Sequence, residues 1–396
     1  MADPAPDTRL APAGEPGAGF GLYVHWPFCQ AKCPYCDFNS HVAEVIDQSR
    51  WARALAAEVA FAAERTGERE LTSVFFGGGT PSTMAPETVH AVMEAVRAGW
   101  RCAADLEVTM EANPTSVDAG RFAAYAAAGV TRLSLGVQAM NDTDLRRLGR
   151  LHSAAEARAA FDVARAHFAN VSFDLICARQ DQSLEAWRSE LSEALAMAVD
   201  HLSLYQLTIE PGTAFAERLA RGGLTGLPDD ELGAALYEET VSACAAAGME
   251  LYEVSNFARP GAECRHNVLY WSGGDYAGIG PGAHGRLARH GRRWATMQEA
   301  VPGAWLSGSE EGLGAHRGET ELSLHDQWVE YILMALRKRR GLDRHVLARL
   351  APAGVDPAHR EAELVELGLV SGDADRLWVT ARGRLLLDSV VATLAG

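Results

Sequence analysis

The chain lacks any run of residues long and apolar enough to span a bilayer, which argues against a helical membrane protein. It lacks an excess of basic residues. Its 396 residues carry a net charge of −16, which disfavours non-specific binding to nucleic acid or anionic lipid. The exception is a local basic run, Arg337-Lys338-Arg339-Arg340. The seven cysteines are an odd number and form no disulfide framework, which fits a reducing, cytoplasmic setting. The first residues, Met1-Ala2-Asp3-Pro4-Ala5-Pro6, have an early acid and no apolar core, so they do not read as a secretory leader. Residues 1–18, rich in Ala, Pro and Gly, read as a flexible tail. No glycine-rich dinucleotide signature follows the first strand-like run, and no repeat is visible beyond strand–helix alternation.

Hydrophobic residues make up 48% of the chain, ample for a sizeable core. Short β-rich runs (22–26, 73–76, 106–110, 132–137, 171–176, 202–209 and 251–254) alternate with Ala-rich amphipathic stretches (48–65, 86–98, 154–168, 184–198 and 229–247). This alternation predicts βα units and a parallel sheet. The expected fold is α/β, a partial (β/α) TIM-like barrel of about six to seven βα units over residues 19–290, followed by a C-terminal winged-helix-like domain. Residues 256–291 read as loops and 291–323 as a linker. The last domain, 324–396, begins with a helical pattern around Trp328 and ends in helix–turn elements and a hairpin.

Chemistry concentrates in Cys29-Gln-Ala-Lys-Cys33-Pro-Tyr-Cys36. Thiolates favour zinc or iron–sulfur, and structural sites of either kind usually take four ligands. With no fourth cysteine nearby, the set suggests a cluster with one iron open to a substrate. The competing reading is a Cys₃His zinc site completed by His25 or His41. The i, i+4, i+7 spacing and a position at a barrel mouth count against it. Other polar features fall at the same ends of successive strands. They are Gly77-Gly78-Gly79-Thr80-Pro81, Glu111 with Asn113-Pro114, Gln138, and Asp174; Tyr205 and Gln206 lie in the sixth strand. The glycines form either a tight turn or an exposed backbone nest for a carboxylate or phosphate. Glu111 is either a surface carboxylate or a partner for an ammonium group. Gln138 and Asp174 are either buried and satisfied by backbone or hydrogen-bonded to a hydroxylated ligand.

With these motifs the chain resembles the radical S-adenosylmethionine (SAM) superfamily. Tyr23-Val-His-Trp-Pro-Phe-Cys29, Leu135-Gly-Val-Gln138, Gly149-Arg-Leu-His152, Phe173-Asp-Leu-Ile176 and Gly278-Ile-Gly-Pro-Gly-Ala-His284 resemble the oxygen-independent coproporphyrinogen III oxidase family within it. The resemblance implies a [4Fe–4S] cluster on Cys29, Cys33 and Cys36. Its fourth iron would bind SAM, and one-electron reduction would cleave the sulfonium to a 5′-deoxyadenosyl radical. Tyr23, Tyr35, Gly78 and Glu111 would surround that SAM. Gly79, Thr80, Gln138, Arg150 and Asp174 match positions around a second one. Two features separate the oxidases from the family's heme-chaperone subgroup. The oxidases carry a further cysteine where this chain has Phe38, and the subgroup carries His266-Asn-Val-Leu-Tyr270-Trp271. Both point to a heme chaperone rather than an active oxidase. His266 would ligate heme, with Tyr270 and Trp271 packing on the macrocycle and Cys264 an outside candidate. The implied partners are heme, apo-hemoproteins of the respiratory chain and an electron donor. The implied place is the cytoplasm, peripheral to the membrane during delivery. The alternative function is the oxidative decarboxylation of coproporphyrinogen III. A third class, a transcription-linked sensor, rests only on the winged-helix-like tail and Arg337–Arg340. One segment, Cys177-Ala-Arg-Gln-Asp-Gln-Ser183, departs from the family's aromatic residue and Pro-Gly-Gln turn, which puts the loop shape there in question.

Overall fold

The structure, a computed structural model, describes residues 14–312 and 316–396. Apolar runs become strands and Ala-rich stretches become helices. β1 (Phe20–Trp26) leads through the short strands β2 (Phe28–Cys29) and β3 (His41–Val42) into α1 (Gln48–Thr66). The Asp47 carboxylate starts α1 by accepting the Arg50 N–H at 3.0 Å. β4 (Glu70–Gly78), α2 (Pro86–Gly99), β5 (Arg101–Ala112), α3 (Ala119–Ala128) and β6 (Arg132–Gln138) follow. α4 (Asp142–Arg147) and α5 (Ala154–His167) precede β7 (Asn170–Cys177), and a Ser153–Glu156 capping box starts α5. α6 (Leu184–Met197), β8 (His201–Gln206), α7 (Ala214–Ala220) and α8 (Asp230–Ala246) complete the alternating part.

The next segments are β9 (Glu250–Glu253), β10 (Asn256–Ala258), α9 (Arg265–Trp271), β11 (Asp275–Ile279), β12 (His284–Arg289), β13 (Arg292–Gln298), α10 (Pro302–Glu310) and β14 (His316–Glu321). Together the strands form one 12-stranded sheet in the order β14-β13-β12-β11-β1-β4-β5-β6-β7-β8-β10-β9. From β11 to β8 the neighbours run parallel. The sheet ends in β14 on one side and β9 on the other, so the barrel is partial, as expected.

Three expectations need correction. The run 251–254 forms β9, an antiparallel edge strand, and the parallel neighbour of β1 is β11 instead. Residues 256–291 are not loops, and 291–323 is not a linker. Together they supply α9, β10 to β13, α10 and β14. Glycine misled the reading here. A Cβ at Gly278 would sit 2.0 Å from the His284 carbonyl oxygen, so glycine marks where β11 and β12 approach closely rather than where the sheet stops. α10 is pinned by aromatic packing, with Trp305 stacked on Trp51 at 5.4 Å and Trp51 edge-on to Trp26 at 5.6 Å.

Residues alternate along the parallel strands. Val108, Met110, Leu133, Leu135, Phe173, Leu202 and Leu204 are buried in the hydrophobic core. Thr109, Glu111, Arg132, Ser134, Ser172, Asp174, His201 and Ser203 instead line a cavity of about 220 Å3 inside the barrel. Barrels of this type usually fill the interior with branched apolar side chains. Here it is polar, and α9 closes it at the end where the strands begin.

The C-terminal domain comprises α11 (Leu324–Ala335), β15 (Leu342–Asp343), α12 (Arg344–Leu350), α13 (Pro357–Glu366), β16 (Val370–Gly372), β17 (Arg376–Val379), α14 (Ala381–Arg384) and α15 (Leu387–Ala395). Its sheet order is β15-β17-β16, and it has its own core around Trp328, Ile332, Leu342, Leu377 and Val390. The opening order helix, strand, helix, helix, strand, strand is that of a winged helix.

Of the expected flexible tail, residues 1–13 lie outside the described residues, whereas Glu15 is fastened down. Its carboxylate accepts from Lys338 Nζ at 2.5 Å, Arg376 Nη1 at 3.0 Å and Tyr331 OH at 3.1 Å. Glu15→Gln leaves a nearly buried ammonium without its counter-charge. The substitution should therefore lower stability by roughly 3 kcal/mol, read from urea unfolding of the full chain.

Candidate cofactor site

Cys29 ends β2, and Cys33 and Cys36 lie on the loop that follows it, at the ends of the parallel strands. The loop is held from both sides. The Asn39 side-chain amide donates to the Pro281 and Ala300 carbonyls at 2.9 Å each. His25 Nε2 meets the Asn39 carbonyl at 2.9 Å, and His25 Nδ1 meets the Tyr23 hydroxyl at 3.0 Å. Each sulfur has a polar neighbour. Thr80 Oγ1 donates to Cys29 at 3.4 Å, an Arg150 Nη donates to Cys33 at 3.4 Å, and Ser40 Oγ lies 3.8 Å from Cys36. Burial pushes the Cys29 and Cys36 thiols up, and these hydroxyls oppose it.

This donor set fits a [4Fe–4S] cluster: three soft thiols on one loop, with donors placed to stabilise negative sulfur. It fits zinc poorly. Both nitrogens of His25 are engaged elsewhere, and His41 Nε2 lies on Asn39 Oδ1 at 3.0 Å. Among the described residues no three His, Cys, Asp or Glu side chains converge as the ligands of one ion would.

The glycine run is not an open nest. Gly78 N–H donates to Glu111 at 3.2 Å, Gly79 N–H to the Trp26 carbonyl at 2.7 Å, and Thr80 N–H to the Phe28 carbonyl at 2.9 Å. A Cβ at Gly78 would lie 2.6 Å from the His25 ring, and one at Gly79 would lie 2.7 Å from the Phe28 carbonyl oxygen. The glycines let the cluster loop lie flat on β4.

Glu111 and Asp174 face the barrel cavity together with Tyr23 and Tyr205. Burial, and then Asp174, push the Glu111 carboxyl up to about 8, with the Gly78 amide opposing. Burial raises Asp174 to about 6 against the hydroxyls of Ser134 and Ser203. Glu111 therefore carries a proton over most of the neutral range and can donate as well as accept. Gln138 ends β6 with a positive φ of 72°, an uncommon conformation for a side-chain-bearing residue. Its amide lies close to the Arg150 guanidinium over Gly136, and Arg150 donates to the Gly136 carbonyl at 2.8 Å. Arg150 Nε is buried and has no partner, which leaves a donor for a ligand. Tyr35 packs on Phe215 at 6.3 Å, and its hydroxyl neighbours Arg150 and Cys33.

His266 is placed differently from the expectation. It is 1% exposed inside the barrel, with Nδ1 2.9 Å from Ser73 Oγ and Nε2 2.9 Å from the Tyr270 hydroxyl. Burial pulls its pKa down to about 3. An imidazole with both nitrogens hydrogen-bonded presents no lone pair to a metal. The 220 Å3 cavity is also smaller than the roughly 300–1,000 Å3 typical of small-molecule sites. Tyr270 likewise turns into the cavity, whereas Trp271 faces outward from α9. Cys264 is buried against Glu107, its thiol donating at 3.4 Å. In this conformation the motif closes the barrel, with His266 and Tyr270 turned into the cavity.

Sequence reasoning passed over Asn39, Ser40 and the contact of Arg150 with Cys33. Asn39 and Ser40 follow the last cysteine directly, which is a usable signal; Arg150 carries none beyond its motif. In the departing segment, Ala178 and Asp181 take φ of 58° and 56° in place of glycine. The buried Arg179 staples the turn, donating to the Ile176 carbonyl at 2.7 Å and the Gln138 carbonyl at 3.3 Å.

Residues 23–189 match the radical SAM superfamily, and residues 322–386 match the HemN C-terminal domain. The chain is 42% identical over 399 residues to the heme chaperone HemW of Mycobacterium tuberculosis (strain ATCC 25618 / H37Rv), a match that covers 98% of this chain and 97% of that protein. The chain belongs to the radical SAM superfamily and, within it, to the HemW family. It is 35% identical to the heme chaperone HemW of Escherichia coli (strain K12), covering 93% and 96% of the two chains. It is also 40% identical to the mitochondrial radical S-adenosyl methionine domain-containing protein 1 of Bos taurus, covering 99% and 91%. A solved structure of coproporphyrinogen III oxidase (HemN) from Escherichia coli superposes with a TM-score of 0.79 at 22% identity, covering 98% of this chain and 92% of that one, and shares the fold.

Two outcomes follow from this geometry. Cys33→Ser should abolish iron and sulfide incorporation on anaerobic reconstitution, measured by metal and sulfide analysis. One zinc per chain without sulfide in the parent would overturn the cluster assignment. The second concerns pH. A carboxyl raised from its ordinary pKa of about 4.3 to about 8 costs the folded cluster-free chain stability as pH climbs between those values, and no more above them. Relative to the parent, Glu111→Gln should therefore gain stability progressively from pH 5 to 8 and level off beyond, followed by urea unfolding.

Proposed function

We propose that the chain is a heme chaperone that binds heme and delivers it to apo-hemoproteins, while carrying a [4Fe–4S] cluster and SAM. The observation that carries this reading is end-to-end likeness to proteins named heme chaperone HemW, in a chain whose three-thiol loop continues into Phe38 rather than a further cysteine.

In this reading Cys29, Cys33 and Cys36 hold the cluster, which when bound supplies one electron to the sulfonium of SAM. Tyr23, Tyr35, Gly78 and Glu111 hold the SAM at the cluster. Gly79, Thr80, Gln138, Arg150 and Asp174 define the adjoining volume, where a second SAM would lie. Arg150 donates to the Cys33 sulfur and offers its free Nε to a carboxylate. Glu111 holds a proton at its carboxyl and orients toward the Gly78 amide. The recipients are hemoproteins of the respiratory chain, and an electron donor reduces the cluster. Delivery takes place from the cytoplasm at the membrane surface. Among the described residues no helix is long and apolar enough to cross a membrane.

The rival reading is the oxygen-independent oxidation of coproporphyrinogen III. One anaerobically reconstituted preparation separates the two. The chaperone reading expects stoichiometric hemin binding, seen as a shifted Soret band, and no porphyrinogen turnover. Conversion of coproporphyrinogen III to protoporphyrinogen IX at enzymatic rates would sink it.

A further inference from the structure

The motif Gly278-Ile-Gly-Pro-Gly-Ala-His284 ends β11, turns, and opens β12, and Asn39 of the cofactor loop is built into that turn. The turn is one hydrogen-bonded unit with the residues that precede α10. Ala283 N–H donates to the Gly280 carbonyl at 3.1 Å, Gly282 N–H to the Glu299 carbonyl at 2.9 Å, and Gln298 N–H to the Ala283 carbonyl at 2.9 Å. Two carbonyls of this unit, Pro281 and Ala300, take both N–H groups of the Asn39 amide at 2.9 Å. The fit leaves no room for side chains. A Cβ on Gly282, at φ 77°, would lie 2.6 Å from the Asn39 amide nitrogen, and one on Gly280, at φ 93°, would strike the His25 carbonyl oxygen. Asn39 is thereby held at a fixed place beside β1.

The consequence runs through its backbone carbonyl. That oxygen lies 2.9 Å from His25 Nε2, and His25 Nδ1 lies 3.0 Å from the Tyr23 hydroxyl. His25 is 6% exposed, and burial pulls its pKa below the ordinary value despite the Asn39 bond, so the ring carries one N–H at neutral pH. A carbonyl only accepts, so that N–H sits on Nε2. Nδ1 is then a bare acceptor, and the Tyr23 hydroxyl donates to it. Tyr23 has one hydroxyl proton and spends it inside its own strand. Toward the barrel cavity, which it lines beside Glu111, its oxygen presents lone pairs only.

We propose that Asn39 is a positioning residue for SAM, acting through His25 and Tyr23. Clamped by the Gly278–His284 turn, it sets the His25 tautomer and makes Tyr23 a one-way acceptor. The group of SAM that meets Tyr23 is therefore a hydrogen-bond donor, such as its ammonium, and a carboxylate there is repelled. The proposal rests on the reading that Tyr23 holds SAM, and it deepens that reading by giving the bond a direction.

The test is equilibrium dialysis of SAM against the anaerobically reconstituted full chain, with iron and sulfide content measured on each sample. Asn39→Asp keeps the side-chain shape but sets an oxygen against the Pro281 and Ala300 carbonyls. It should weaken SAM binding about tenfold. Tyr23→Phe should weaken it as well. Adding Asn39→Asp to Tyr23→Phe should cost little more, because the group through which Asn39 acts is already gone. A merely structural Asn39 would add its full penalty in both backgrounds. His25→Phe leaves the Asn39 clamp in place and should follow the same pattern; it decides the matter if Asn39→Asp takes up no cluster. The assignment is overturned if either variant binds SAM as the parent does with its cluster intact, or if its penalty persists undiminished beside Tyr23→Phe. A parent that binds no SAM, or a Tyr23→Phe variant that binds it normally, would instead remove the placement of Tyr23 at SAM, and this proposal with it.

Discussion

The structure depends on keeping a polar barrel interior satisfied. The inward positions of the parallel strands carry Thr109, Arg132, Ser134, Ser172, Asp174, His201 and Ser203. Apolar packing therefore cannot fill the centre, and every inward polar group needs a partner. Ser134 links Ser172 to Asp174, and Ser203 donates to Asn256. The hydrogen bonds of His266 to Ser73 and Tyr270 close the lower end. Thr109 Oγ1, an Arg132 Nη and His201 Nδ1 remain without protein partners on the cavity wall. An open, polar barrel of this kind can hold a polar cofactor at its upper end only while its lower end stays shut. The α9 plug meets that condition.

The same constraint explains the placement of the cofactor loop. The loop has little hydrophobic anchorage of its own, and Phe38 is 58% exposed beside it. Its position comes from Asn39 bridging two distant carbonyls and from His25 spanning Tyr23 and the Asn39 backbone. The Gly78–Thr80 segment beneath spends its amides on β1, β2 and Glu111 rather than on a ligand. What remains for a ligand at this end is the set of thiols, the free Arg150 Nε and the protonatable pair Glu111 and Asp174.

Much of this was legible in the sequence, with definite boundaries. The strand–helix alternation through residue 247 was readable because each strand is an apolar run and each helix an Ala-rich one. Reading failed after residue 256, where glycine and aromatic residues suggested loops. Those glycines serve close strand crossings, which a one-dimensional pattern does not distinguish from turns. The linker reading failed because β14 is a polar strand on the sheet edge and β13 beside it is rich in polar residues. At the site, the cysteines and the polar residues at the strand ends expected to share one mouth of the barrel do lie at one end of the parallel strands. The imidazole chemistry of the motif around His266 is visible in the sequence, whereas its burial against Ser73 and Tyr270 is not.

The sequence by itself determined the soft three-thiol donor set, the α/β alternation and the family, because these reside in residue type and spacing. Tertiary structure alone decided which way α9 faces. Seven residues of helix present His266 and Tyr270 to one side and Trp271 to the other. Which side faces the barrel depends on packing against β1, β4 and the C-terminal domain, elements distant from α9 in the sequence.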